Sequence, residues 1–142
     1  ILYYSSNNFN GKKDIKINNK PIVLHINSPG GSVDSGLSLM NFIQNHSIPI
    51  IILIEGISMS AATFITVQSK YKYILPYSLM LIHQYSDAII GQHENIVFSK
   101  NVGDHLMKIF ENMYLKYTKL SKSKIQQLLN KDIYLNSFDC VK

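Results

Sequence analysis

Ser60 and His83 stand 23 residues apart in a chain of 142. Ser60 lies in the small-residue segment Gly56-Ile57-Ser58-Met59-Ser60-Ala61-Ala62, and His83 ends the apolar run Leu79-Met80-Leu81-Ile82. A serine hydroxyl is a poor nucleophile alone. It needs a base to take its proton, a partner to orient that base, and donors aimed at the oxygen that becomes negative. Small neighbours let the backbone turn sharply and a substrate carbonyl come close, and Ala61-Ala62 supply them. A serine at the start of a helix also sits in the positive potential of free N–H groups. Upstream, Asn27-Ser28-Pro29-Gly30-Gly31 is a tight turn whose N–H groups can receive an oxyanion. In this arrangement the N–H groups of Gly31 and Ala61 form the oxyanion hole, and Gly31 carries no side chain to block an approaching peptide. Each feature alone has an ordinary explanation: a capping serine, a hydrogen-bonded histidine, a common turn. Their conjunction in one short chain points to hydrolysis by an activated serine.

These residues need elements to position them. Ile22 to Ile26 is a short apolar, β-branched run and predicts a buried strand leading into the Asn27–Gly31 turn. Helical spacing of Val33, Leu37 and Met40 predicts a helix over about 34–45, stopped before Pro49. Ile50 to Ile54 reads as the next strand, Gly56 to Ser60 as a turn, and Ala61 to Gln68 as a second helix. Tyr71 to Leu75 and Leu79 to Ile82 read as strands around a Pro76-Tyr77 turn. Phe98, Val102, Leu106, Ile109 and Met113 then step by four, four, three and four, which predicts a long amphipathic helix over about 94–117. Ser121 is placed to cap another helix, with Ile125, Leu128 and Leu129 inward. Alternating strands and helices imply an α/β domain with mostly parallel strands. Residues 5–20 are polar and rich in Asn and Lys, and read as an exposed loop or ragged start.

Composition excludes several functions. The length fits one domain with a real core. The formal charge is +5, carried by scattered lysines with no arginine, so the chain lacks the basic stripe of a nucleic-acid binder. No apolar run reaches the roughly 20 residues that span a bilayer, and no secretory signal opens the sequence. The expected partner is neither nucleic acid nor membrane. The expected setting is a soluble compartment, cytoplasmic or organellar (plastid or mitochondrial). A single cysteine, Cys140, excludes an internal disulfide and a multi-cysteine metal site. The five histidines lack metal-ligand spacing, so neither metal nor cofactor is expected.

In combination the motifs resemble those of ClpP, the proteolytic subunit of the ATP-dependent Clp protease (serine peptidase family S14), within the crotonase-like superfamily. The family's Ile-Asn-Ser-Pro-Gly-Gly is matched by Ile26 to Gly31, its nucleophile turn by Gly56 to Phe64, and its Met-Ile-His-Gln by Leu81-Ile82-His83-Gln84. Gly91-Gln92 matches the pair that opens the family's handle, and Asp132 to Ser137 matches the segment carrying the third triad member. The resemblance runs from about residue 21 to the end. It implies the ClpP/crotonase-like fold of repeated β-β-α units with a protruding handle helix. It implies a Ser60, His83 and Asp132 triad, with Gly31 and Ala61 at the oxyanion hole, although Asp132 by itself reads as a cap or turn residue. It further implies an endopeptidase acting on unfolded proteins or peptides and fed by an AAA+ Clp unfoldase. The implied assembly is a homo-oligomer of heptameric rings stacked as a tetradecamer, with the 94–117 helix as the ring-to-ring handle.

Three departures from the family bear on function. Ser58-Met59 imitates the family's usual Ser-Met pair, making Ser58 the alternative nucleophile. Counting forward from Gly31 and Gly56 selects Ser60, and counting back from His83 selects Ser58. Ser60 is preferred, because a deletion in the 68–73 turn is better tolerated than one in an active-site turn. Tyr85-Ser86 follows Gln84 where the family often has proline and a small residue. Residues 1–142 are expected to form a single ClpP-like catalytic domain lacking the family's N-terminal axial loop and first strand and its last C-terminal strand. Two rivals keep the fold: an inactive ClpR-like subunit of a mixed ring and a viral ClpP-like head-maturation protease. A crotonase-type acyl-CoA enzyme would need acid–base glutamates, and Glu55, Glu94 and Glu111 all lie outside the expected turn.

Overall fold

A computed structural model describes residues 20–141. The polar segment read over 5–20 lies outside the described residues, except for Lys20. Strand β1 (Ile22–Ser28) leads to helix α1 (Val33–Gln44), then strand β2 (Ile50–Met59), helix α2 (Ala62–Gln68), and strands β3 (Tyr71–Ile74) and β4 (Leu79–Ile82). The second half holds helix α3 (His93–Tyr117), helix α4 (Lys122–Asn130), strand β5 (Ile133–Asn136) and the short helix α5 (Ser137–Cys140). Local chemistry explains the boundaries. Ser32 and Ser121 accept N-cap bonds from Ser35 N–H and Lys124 N–H, and Asn136 forms a capping box with Asp139.

The sheet is mixed, with strands in the order β1-β2-β4-β5 and β3 on β2. Strand β2 pairs in parallel with β1, β3 and β4; only β4–β5 is antiparallel. The first half of β2 carries β3, from Ile51↔Tyr71 to Ile54↔Ile74, and its second half carries β4, from Ile57↔Leu79 to Met59↔Leu81. The handover occurs at Ile54, whose carbonyl accepts from Leu75 N–H (2.9 Å) and from Ser78 Oγ (3.1 Å). Two expectations are corrected here. Gly56 to Met59 is strand, not turn, because β1 and β4 pair with it on opposite edges. The register slips on the way: Ile26↔Ile54 to Ser28↔Ser58 is two steps along β1 against four along β2. Asn27 Oδ1 accepts from Ile57 N–H (3.1 Å) at this bulge, and a Cβ on Gly56 would overlap the Asn27 side chain. The second correction is β1 itself. It buries one face only, with Val23, His25 and Asn27 exposed.

The core lies between the sheet and its helices, centred on Ile52, Phe64, Tyr114, Ile125 and Leu128. Phe64 packs on Phe110 at a centroid separation of 4.8 Å. Lys72 Nζ donates to the carbonyls of Val67 (2.6 Å) and Tyr117 (3.1 Å), tying β3 to the last turns of α2 and α3. Burial lowers the pKa of that ammonium. Helix α3 has 25 residues, a length of about 38 Å. Its C-terminal half buries Phe110, Met113 and Tyr114, while Ile96, Val97, Phe98 and Val102 in its N-terminal half stay exposed. The expected stripe therefore divides into a packed base and a projecting, apolar upper half. Among the described residues no helix is long and apolar enough to cross a membrane.

The free thiol of Cys140 packs against the core. Burial, with a smaller contribution from Asp139, pushes its pKa up to about 11 from an ordinary 9.0. A displacement of that size lowers the thiolate fraction at pH 8 about a hundredfold. Iodoacetamide at pH 8 should therefore alkylate native Cys140 about a hundredfold more slowly than the denatured chain, followed by mass spectrometry.

Candidate active site

Ser60 makes the turn between β2 and α2 with φ of 53°, and it is the one non-glycine residue with positive φ among the described residues. A serine in this left-handed region costs on the order of 1–2 kcal/mol, which the surroundings must offset. They do so through the backbone and one threonine. Ser60 N–H donates to the Leu81 carbonyl (2.9 Å), anchoring the turn to β4. The Ser60 carbonyl accepts from Thr63 N–H (2.9 Å) and from the Thr63 hydroxyl (2.6 Å). That hydroxyl has one proton, so it accepts from the Tyr114 hydroxyl at 2.6 Å. Tyr114 is 1% exposed, and burial raises its pKa far above the ordinary tyrosine value, keeping the phenol a neutral donor. A hydrogen-bonded chain thus runs from the base of α3 to the Ser60 turn. Thr63→Val keeps the shape but strands the buried phenol and releases one bond on the turn. It should destabilise the protein by about 2 kcal/mol, measured by denaturant unfolding.

The glycine turn after β1 packs against the same place. Gly30 has φ of 102°, and a Cβ there would lie 2.7 Å from both the Met59 carbonyl oxygen and Ser60 Cβ. Gly31 follows with φ of 151° and open space around it. Ala61, 4% exposed, stands at the N-cap of α2. Among the described residues, the amides of Gly31 and Ala61 donate no hydrogen bond.

Sheet register brings in the remaining residues. Met59 pairs with Leu81, so His83 comes just past the end of β4 on the side where Ser60 leaves β2. Ile82 pairs with Ile133 in the antiparallel β4–β5 ladder, which puts Asp132 next in register opposite His83. Gly31, Ser60 and His83 line one cavity of about 70 Å³. Asp132 is exposed just before β5 and does not line it. Among the described residues no hydrogen bond joins Ser60 Oγ, the His83 ring and Asp132. A larger recess of about 210 Å³, bordered by His46, Pro49 and Tyr71, lies at the opposite ends of the strands and includes none of these residues.

Ser58 has a different environment. It is 0% exposed, and its hydroxyl lies 2.7 Å from that of Thr66, which itself donates to the Ala62 carbonyl (3.0 Å). Ser58 therefore pins α2 to β2 inside the core. Thr63 and Tyr114 belong to no motif that singles them out. The available signal was slight: a threonine three residues after Ser60, and a tyrosine beside the apolar stripe of α3. The model of the Clp protease family matches residues 13–142, and the chain belongs to that family.

Proposed function

We propose that this chain is a serine endopeptidase whose nucleophile is Ser60. The observation that carries the proposal is the left-handed Ser60 turn at a strand-to-helix junction, opening on a cavity it shares with His83 and Gly31. A strained turn of this kind lifts a hydroxyl out of the chain and leaves the following amide free. In the proposed reaction Ser60 Oγ attacks a peptide carbonyl carbon while His83 takes its proton. The carbonyl oxygen becomes an oxyanion, received by the N–H groups of Gly31 and Ala61. Collapse of the tetrahedral intermediate breaks the C–N bond, and His83 returns the proton to the leaving amine. Water, deprotonated by His83, then releases the acyl group from Ser60. Asp132 orients the imidazole from the neighbouring strand, as its register opposite His83 supports. The hydrogen bonds among these groups form as substrate binds, since such bonds are often loose in unliganded sites. Ser60 is favoured over Ser58 because the Ser58 hydroxyl is buried and already paired.

Membership in the Clp protease family supports peptide substrates and an oligomeric assembly in general. The projecting apolar half of α3 is the part of this chain suited to contact a second ring, because a lone helix cannot bury such a face by itself. Stacked heptameric rings and delivery of unfolded protein by an AAA+ unfoldase complete the proposal. The test is labelling of the assembled protein with a fluorophosphonate, the adduct located by peptide mass spectrometry. An adduct on Ser60 that His83→Ala abolishes is expected. An adduct on Ser58 would move the nucleophile, and no adduct would favour an inactive, ClpR-like subunit.

A further inference from the structure

The cavity beside Ser60 has one wall that neither the turn nor the base supplies. Tyr85 lines it, two residues after His83, between the polar Gln84 and Ser86 and together with the apolar Val33, Phe64 and Phe110. Tyr85 is held from several sides. Its N–H donates to Met107 Sδ (3.2 Å), and its hydroxyl donates to Asp87 Oδ2 (2.8 Å). That hydrogen bond, chiefly, raises the phenol's pKa and keeps it a donor. The ring lies on helix α3 at Gly103, where an added Cβ would stand 3.2 Å from Tyr85 Cδ1. A glycine inside a long helix costs about 1 kcal/mol relative to alanine, so a packing reason is expected, and the Tyr85 ring provides one.

What remains open beside Ser60 is about 70 Å³. An apolar cavity of about 150 Å³, roughly twice this volume, is known to bind benzene. The wall and the volume together limit what can sit next to an attacked carbonyl. We infer that Tyr85 is a specificity-determining residue, closing the pocket for the substrate side chain on the acyl side of the scissile bond so that short aliphatic groups enter and aromatic ones do not. The inference rests on Ser60 being the nucleophile. It assigns Gly103 a positioning role, acting through the Tyr85 ring.

The experiment uses the full assembled protein and fluorogenic peptides alike except for Ala, Val, Leu or Phe before the cleaved bond. A fluorophosphonate reports separately on Ser60. Wild-type protein should cleave the Ala or Val peptide with kcat/KM at least about 10-fold above the Phe peptide, within the roughly 10- to 200-fold range of discrimination that apolar pockets achieve. Tyr85→Ala should raise the Phe-to-Ala ratio about 10-fold or more, while Tyr85→Phe, which keeps the ring, should hold the wild-type ratio. Should Tyr85→Ala not assemble, Gly103→Ala reads the same coupling in the opposite sense. By pressing the ring off the helix into the cavity, it should lower the Leu-to-Ala ratio several-fold. Labelled Ser60 with a ratio indifferent to these changes would overturn the role of Tyr85 and leave the nucleophile standing. Absence of labelling in wild-type protein would overturn the nucleophile, and the role of Tyr85 with it.

Discussion

Ser60→Ala should lower kcat/KM on an unstructured peptide by about 10⁴- to 10⁶-fold, the range seen when a triad nucleophile is removed. Fluorophosphonate labelling should vanish with it. The comparison that gives this result meaning is Ser58→Ala. The Ser58 hydroxyl is buried against Thr66, so its loss should cost about 1 kcal/mol of stability and leave cleavage standing. The reverse pattern would make Ser58 the nucleophile and require the core around Thr66 to open. A third variant separates strain from chemistry. Ser60→Gly removes the hydroxyl and also the penalty of a side chain at φ of 53°. It should be as inactive as Ser60→Ala and more stable by about 1 kcal/mol, read from denaturant midpoints. Stability gained by deleting a reactive group would fit a turn held in a strained conformation for its function.

Gly30→Ala should destabilise this protein strongly. Two penalties act together. At φ of 102° a side chain is strained whatever the space around it. The new Cβ would also stand 2.7 Å from the Met59 carbonyl oxygen and from Ser60 Cβ, both belonging to the rigid strand-to-helix turn. Neither neighbour is a flexible side-chain end, so either β1 must retreat or the Ser60 turn must move. A loss of about 3 kcal/mol or more is expected, by sum of backbone strain and overpacking. Any folded fraction should label poorly with the fluorophosphonate. Gly31→Ala shares the backbone strain at φ of 151° but meets open space. It should cost only about 1–2 kcal/mol, while crowding the route by which a peptide reaches Ser60. Equal unfolding midpoints for the two variants would show that the contact of Gly30 with the turn is not a constraint on the fold.

Much of the fold was legible in the sequence where neighbouring residues decide the outcome. The Ser121 cap, the apolar runs of β2 and β4, and the period of α3 depend on side chains within a turn or two. The candidate site residues were also legible as types, because a serine among small residues and a histidine ending a strand have a chemical logic that spacing preserves. Gly56 to Met59 went the other way. A glycine and a serine read as part of a turn, yet β1 and β4 pair with this stretch across long sequence separations and hold it extended. The same long-range pairing distinguishes the two serines. Ser58 and Ser60 have the same parity and would share a face in a continuous strand. Only the tertiary structure ends the strand at Met59, turns Ser58 into the core on Thr66, and bends Ser60 out at positive φ under the carbonyl of Leu81. The placing of Tyr85 on Gly103, and the cavity left between that ring and Ser60, likewise depends on how α3 packs back across the domain. Capping and periodicity are written in adjacent residues, whereas register, strain and cavity shape arise when distant segments must fill one space at close-packed density.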